Sequence, residues 1–144
     1  MIWSFSFISK NEVLLTLREG ELYYYNLDTK EKKKLEAPKV KASGQGGLLD
    51  VRFIKDIKTK VNYVYFTFSE EDNDILTTSL ARGVYKNKTV SQIKNLLRAK
   101  VNSDTSRHFG SRLYFKVNLI FMTVGDRGER KFAQNLSYHN GKIL

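Results

Sequence analysis

A threefold recurrence restricts this chain more than any other feature. Phe5 and Phe7, the polar pair Lys10-Asn11 and then Val13-Leu14-Leu15-Thr16-Leu17 form its first copy. Val51 and Phe53, a longer polar stretch from Lys55 to Lys60 and then Val64-Tyr65-Phe66-Thr67-Phe68 form the second. Leu113 and Phe115, the segment Lys116 to Asn118 and then Leu119-Ile120-Phe121-Met122-Thr123-Val124 form the third. Each reads as an alternating strand, a turn, a fuller apolar strand and a closing polar loop. Thr16, Thr67 and Thr123 mark the copies at intervals of roughly fifty residues, a period that with several strands per unit points to a β-propeller.

Further strand candidates fill the intervals. Glu21 to Tyr25 is one, with Asn26 to Lys30 turning the chain, and Leu76 to Tyr85 is another. Thr89 to Lys100 carries Val90, Ile93, Leu96 and Leu97 at helical spacing. In an all-β setting the preferred reading is a polar turn followed by a strand from about Asn95 to Val101. The expected fold is therefore all-β: two and a half to three blades of antiparallel four-stranded sheets, forming one partial propeller domain over residues 1–144. The chain starts inside one strand and stops inside another, so truncation at both ends is expected, with an open edge at each.

Composition narrows the function classes. With no cysteine, disulfides, thiolate metal sites and a cysteine nucleophile are excluded, and two histidines make a zinc site improbable. No apolar run spans a bilayer. Met1 is followed at once by Trp3, Phe5 and Phe7 in alternation, with no basic n-region or small-residue cleavage site, so no signal peptide is expected. A net charge of +10 raises a nucleic-acid reading. Lysine outnumbers arginine 17 to 8 and clusters in turn-like places such as Lys30 to Lys34, without arginines interleaved with aromatics. Solvated lysine-rich turns are the preferred explanation, and no nucleic-acid partner is expected.

Three loops stand out. His108 precedes the strand Arg112 to Phe115, and Asp126 follows the strand Leu119 to Val124. If those strands form a hairpin, both residues emerge at one end, where a carboxylate can fix the tautomer of an imidazole base. The alternative is a hydrogen-bonded loop histidine beside a turn-forming aspartate. Ser43-Gly44-Gln45-Gly46-Gly47 would let backbone approach a flat ligand, with Gln45 able to donate and accept; a structural inter-blade loop explains it equally. His139, just before Asn140-Gly141, is read as structural.

Four motifs in order carry a resemblance: Gly44-Gln45-Gly46-Gly47-Leu48-Leu49-Asp50-Val51, Arg107-His108-Phe109-Gly110-Ser111-Arg112-Leu113, Gly125-Asp126-Arg127-Gly128, and Ala133-Gln134-Asn135-Leu136-Ser137 running on to Gly141-Lys142-Ile143-Leu144. They resemble the N-terminal portion of soluble PQQ-dependent aldose sugar dehydrogenases, of the glucose/sorbosone dehydrogenase group. Trp3-Ser4-Phe5-Ser6-Phe7 looks like that family's first propeller strand. The resemblance implies an incomplete six-bladed propeller that binds pyrroloquinoline quinone (PQQ) on its axis, with Ca2+ fixing the quinone. It implies an aldose substrate, an external electron acceptor and a periplasmic setting. The general base falls on His108, its orienting acid on Asp126, and cofactor contacts on Gln45 and Arg107. The calcium ligands and the arginines that clamp the quinone would lie in later, C-terminal blades, so this chain alone is expected to be inactive. The alternative is a non-catalytic truncated or split-gene product, acting as a sugar-binding or blade-complementing module. The turn Lys116-Val117-Asn118 is shorter and more apolar than the family's usual one.

Overall fold

The computed structural model describes every residue except Asp104, and of Asp72 the backbone alone. Among the described residues eleven strands form three antiparallel sheets in chain order. β1 (Ile2–Phe7), β2 (Glu12–Leu17), β3 (Glu21–Asn26) and β4 (Lys32–Leu35) make the first sheet. β5 (Leu48–Asp56), β6 (Val61–Asp72), β7 (Ile75–Lys86) and β8 (Thr89–Arg98) make the second. β9 (Gly110–Lys116), β10 (Leu119–Val124) and the short β11 (Lys142–Ile143) make the third, so the last blade has three strands here rather than four. β1 lies against β5 and β5 against β9, so the first strands of the sheets share the inner side of a radial stack. These are three blades of a propeller. Among the described residues no helix is long and apolar enough to cross a membrane.

The apolar patterning fixes how the sheets stack. β6 is buried on both faces: Val64, Phe66 and Phe68 join Leu14, Leu22, Tyr24 and Val51 between the first two sheets. On its other face Tyr65 joins Leu113, Met122 and Val124 between the second and third. That is why its copy of the repeat reads as nearly continuous apolar sequence. A smaller cluster of Leu49, Leu76 and Phe109 closes the end where β5 and β9 begin.

The recurrent threonines are rivets. Thr16 Oγ1 accepts the Ser4 N–H at 3.0 Å and donates to Leu49 O, in the next sheet, at 3.0 Å. Thr67 Oγ1 accepts the Asp50 N–H at 2.9 Å and donates to Ser111 O, again one sheet on, at 2.8 Å. Thr123 Oγ1 accepts the Arg112 N–H at 3.0 Å from the same place in the third sheet. Each sits where the pairing of first and second strands shifts register, so the hydroxyl satisfies a backbone donor that the ladder leaves over.

Asp50 binds all three blades together. Its side chain is 2% exposed, accepting Ser4 Oγ–H at 2.7 Å from β1 and the Leu113 N–H at 2.9 Å from β9. Arg112 Nη1 approaches at 3.1 Å and Arg52 Nε at 3.4 Å. The buried carboxylate is thus paired and hydrogen-bonded, as burial of a charge requires.

One element differs from the sequence reading. The strand expected over about 95–101 begins earlier and ends sooner, as β8 over Thr89–Arg98. Asn87 and Lys88, both at positive φ (50° and 55°), make the tight hairpin turn that starts it. Inside β8 the register shifts and Gln92 adopts φ 52°, so Val90 and Ile93 fall three residues apart on the same packed side. The bulge mimics helical spacing. Gly83 gives it room: a Cβ there would lie 2.7 Å from Val90 and 3.2 Å from Ile93. The 117–118 turn joins β9 to β10, with Val117 at φ 53° and 94% exposed.

Candidate active site

Three segments meet at the end where β5 and β9 begin and β10 finishes: the loop before Leu48, the approach to Gly110, and the loop after Val124. The Gln45 N–H donates to Ser106 O at 2.8 Å, and the His108 N–H donates to Gln45 Oε1 at 2.8 Å. The contact is close because Gly44 lacks a side chain; a Cβ there would lie 2.4 Å from Ser106 O. Gly125 is tighter still, since its Cβ would fall 1.9 Å from His108 O. A residue with any side chain at position 125 would push the two loops apart.

That approach brings His108 Nδ1 to 2.7 Å from Asp126 Oδ1. β9 and β10 do form a hairpin, with Lys116 opposite Leu119, and the two residues emerge at its same end. The Gly128 N–H also donates to Asp126 Oδ1, at 2.9 Å. These two bonds, the Gly128 amide first and His108 second, hold the Asp126 carboxyl below its ordinary value of 3.8. An ionised carboxylate accepts only, so His108 Nδ1 carries the proton, and in the neutral imidazole the lone pair is the one on Nε2. No partner among the described residues occupies Nε2, and the His108 side chain is half exposed. The arrangement supplies an oriented proton acceptor.

Gln45 and Arg107 flank the imidazole. With Gln45 Oε1 spent on the His108 N–H, its Nε2 hydrogens remain as donors without a protein acceptor among the described residues. The exposed Arg107 side chain lies over Gly128, where a Cβ would come within 2.8 Å of its Nε. All four residues singled out in the sequence, Gln45, Arg107, His108 and Asp126, therefore stand side by side. Among the described residues no three carboxylate or imidazole groups converge to hold a metal ion.

His139 lies elsewhere, in a clip. Its N–H donates to Lys100 O at 2.7 Å and its Nδ1 accepts the Lys100 N–H at 3.0 Å. Burial, with Lys142 and Lys100 nearby, pulls its imidazole below the ordinary 6.5. Protonation would convert the Nδ1 acceptor into a donor. The neutral form is favoured by folding, so the clip contributes fully above pH 6.5 and is lost as pH falls through the lower folded value. The protection of the Lys100 amide, its exchange rate relative to the intrinsic rate at each pH, should therefore fall on acidification in the parent and stay level in His139→Gln. Equal acid sensitivity in the two proteins would remove His139 as the cause.

Two supports escaped the sequence reading. Asn140, wholly buried, donates through Nδ2 to Asp126 O at 3.1 Å and accepts the Asn102 N–H at 3.1 Å, fixing the acid's backbone. Asn140-Gly141 signalled a turn, and nothing local distinguished the asparagine as a bracket. Arg127 lies fully buried with its guanidinium 3.6 Å from the Phe109 ring centroid. An arginine between aspartate and glycine reads as surface, and no local signal contradicts that.

Comparison with known proteins places this geometry. The chain is 30% identical over 148 residues to aldose sugar dehydrogenase YliI of Escherichia coli K12, covering 99% of itself and 40% of that relative. It thus spans about two-fifths of the length of the curated relatives it matches. The soluble aldose sugar dehydrogenase Asd of E. coli, solved in the apo-form, superposes with a TM-score of 0.90 at 30% identity, over 99% of this chain and 43% of that one. The PQQ-bound aldose sugar dehydrogenase of Streptomyces coelicolor shares the fold, with a TM-score of 0.84 at 21% identity over 99% of this chain and 43% of its own. The family profile described as Glucose / Sorbosone dehydrogenase matches residues 1–144 throughout, and the chain belongs to that family.

Proposed function

We propose that these blades form the base-bearing part of a PQQ-dependent enzyme that oxidises aldose sugars at C1 to lactones. The observation that carries it is the 2.7 Å His108–Asp126 bond on an exposed rim, beside a Gln45 amide whose remaining hydrogens are unspent. In the reaction the sugar's C1 hydroxyl gives its proton to His108 Nε2, and C1–H leaves with its electron pair. The C1=O double bond of the lactone forms in their place. Asp126 keeps Nδ1 protonated and so keeps Nε2 basic and directed. Gln45 secures the histidine backbone and offers its amide hydrogens to an oxygen of the bound ligand.

The donor set fits a planar, anionic quinone. Arg107 is an exposed cation and Gln45 a fixed donor, and each suits a carboxylate or a carbonyl oxygen. When bound, PQQ supplies the two-electron acceptor for the C1 hydride. No three carboxylate or imidazole groups among the described residues gather to hold a calcium ion, and no step is assigned to it. Remaining cofactor and substrate contacts come from polypeptide outside these three blades, with an external acceptor reoxidising the cofactor. The 144-residue chain by itself is accordingly expected to show no turnover, because a half-built clamp forgoes most of the rate that positioning provides.

The test is lactone production. The polypeptide carrying these blades together with the rest of the ring, loaded with PQQ, should convert an aldose to its lactone with stoichiometric reduction of a dye. Sugar binding with no lactone would instead favour a non-catalytic, blade-complementing module.

A further inference from the structure

Among the described residues Arg127 is the largest side chain that is fully buried. One nitrogen, Nη2, donates to Thr105 O, while Nε and Nη1 have no acceptor among the described residues. Burial alone draws the guanidinium down to about 10. A buried cation with two idle donors is destabilising, and apolar residues of similar volume fill such places as well or better. Packing does not explain an arginine here.

Its neighbours offer a reason. Arg127 follows Asp126 and Phe109 follows His108, so two crossing segments touch twice. The outward residues make the imidazole–carboxylate pair; the inward ones make the 3.6 Å stack beneath it. Phe109 is anchored by Leu49 and Leu76 and lies against Gly46, beside Gln45. The Arg127 carbonyl accepts Ser103 Oγ–H at 2.7 Å and Thr105 Oγ1–H at 2.6 Å. Both His108 (φ 53°) and Arg127 (φ 59°) adopt the left-handed region, uncommon for residues other than glycine, so local contacts must hold the two backbones there.

We propose that Arg127 is a positioning residue: its stack on Phe109 sets the separation and direction at which Asp126 meets His108 Nδ1. Arg127 touches neither member of the pair and acts through the backbone of both. The structural part stands on contacts alone; its consequence for turnover rests on His108 serving as the base.

The test reads the imidazole of His108 in Arg127→Met by 15N-detected NMR, with thermal unfolding measured alongside. In the parent the Nδ1-protonated form should exceed the other neutral tautomer by about tenfold or more, as a bond to a carboxylate imposes. In Arg127→Met the unfolding temperature should hold or rise, while that ratio drops toward parity. Should Arg127→Met not fold, Phe109→Leu, which removes the stacked ring and keeps an apolar body, should shift the ratio in the same direction. Retention of the parental ratio in a folded variant overturns the proposal, as does a lowered unfolding temperature with an unchanged ratio. In the loaded enzyme Arg127→Met should lower kcat by about tenfold at constant KM. If the parent makes no lactone yet the tautomer ratio shifts as stated, the functional reading fails and the positioning role stands.

Discussion

Replacing His108 with alanine in the loaded enzyme is expected to lower kcat for aldose oxidation by about 10²–10⁴, the usual contribution of a positioned general base. On the proposed reading, loss of C1–H as hydride requires the C1 hydroxyl to shed its proton in the same passage, with Nε2 as the acceptor. Asp126 already holds Nδ1 at 2.7 Å, so the imidazole needs no tautomer change before it accepts. The His108 side chain is half exposed and is absent from the buried clusters, so truncation should leave the fold in place. Asp126→Asn should fall between parent and His108→Ala, because an amide can present its NH2 to Nδ1 and favour the wrong tautomer. Steady-state rates of purified, PQQ-loaded proteins check both. Parental kcat in His108→Ala would remove the imidazole from the chemistry.

Asp50→Ala is expected to produce the largest loss of stability of any single substitution considered, about 2–5 kcal/mol, because two buried donors lose their acceptor at roughly 1–3 kcal/mol each. The substitution strands the Leu113 N–H and the Ser4 hydroxyl in places closed to water. It also removes the anion that Arg52 and Arg112 share. Since Ser4, Asp50 and Leu113 belong to the first strands of three successive blades, the damage should spread through both inter-sheet cores. Chemical denaturation monitored at Trp3, on the strand that Ser4 ties to Asp50, reports it directly. A loss below about 1 kcal/mol, the scale of an exposed ion pair, would show that Asp50 is no rivet.

Much of this architecture could be read from the chain before any coordinates. Continuous apolar residues in Val64 to Phe68 announced a strand buried on both faces, and the spaced threonines announced equivalent blades. Placing His108 and Asp126 at one end of a hairpin needed only the strands on either side of Lys116 to Asn118. What escaped was non-local. The bulge at Gln92 disguised β8 because a register shift breaks the twofold alternation on which strand recognition relies. Asp50 was visible only as part of a glycine-rich motif, since the groups it binds lie 46 and 63 residues away. Arg127 and Asn140 belong to polar types that usually sit at the surface, and their burial follows from loops meeting in space.

The most direct measurement is single-turnover reduction of the loaded enzyme by C1-protiated and C1-deuterated aldose, comparing the parent with His108→Ala. The expected result is that C1–H cleavage slows by about 10² or more, while the sugar's Kd stays within roughly threefold. An unchanged cleavage rate with a weakened Kd would contradict it, making His108 a sugar-binding group and leaving the proton to another acceptor.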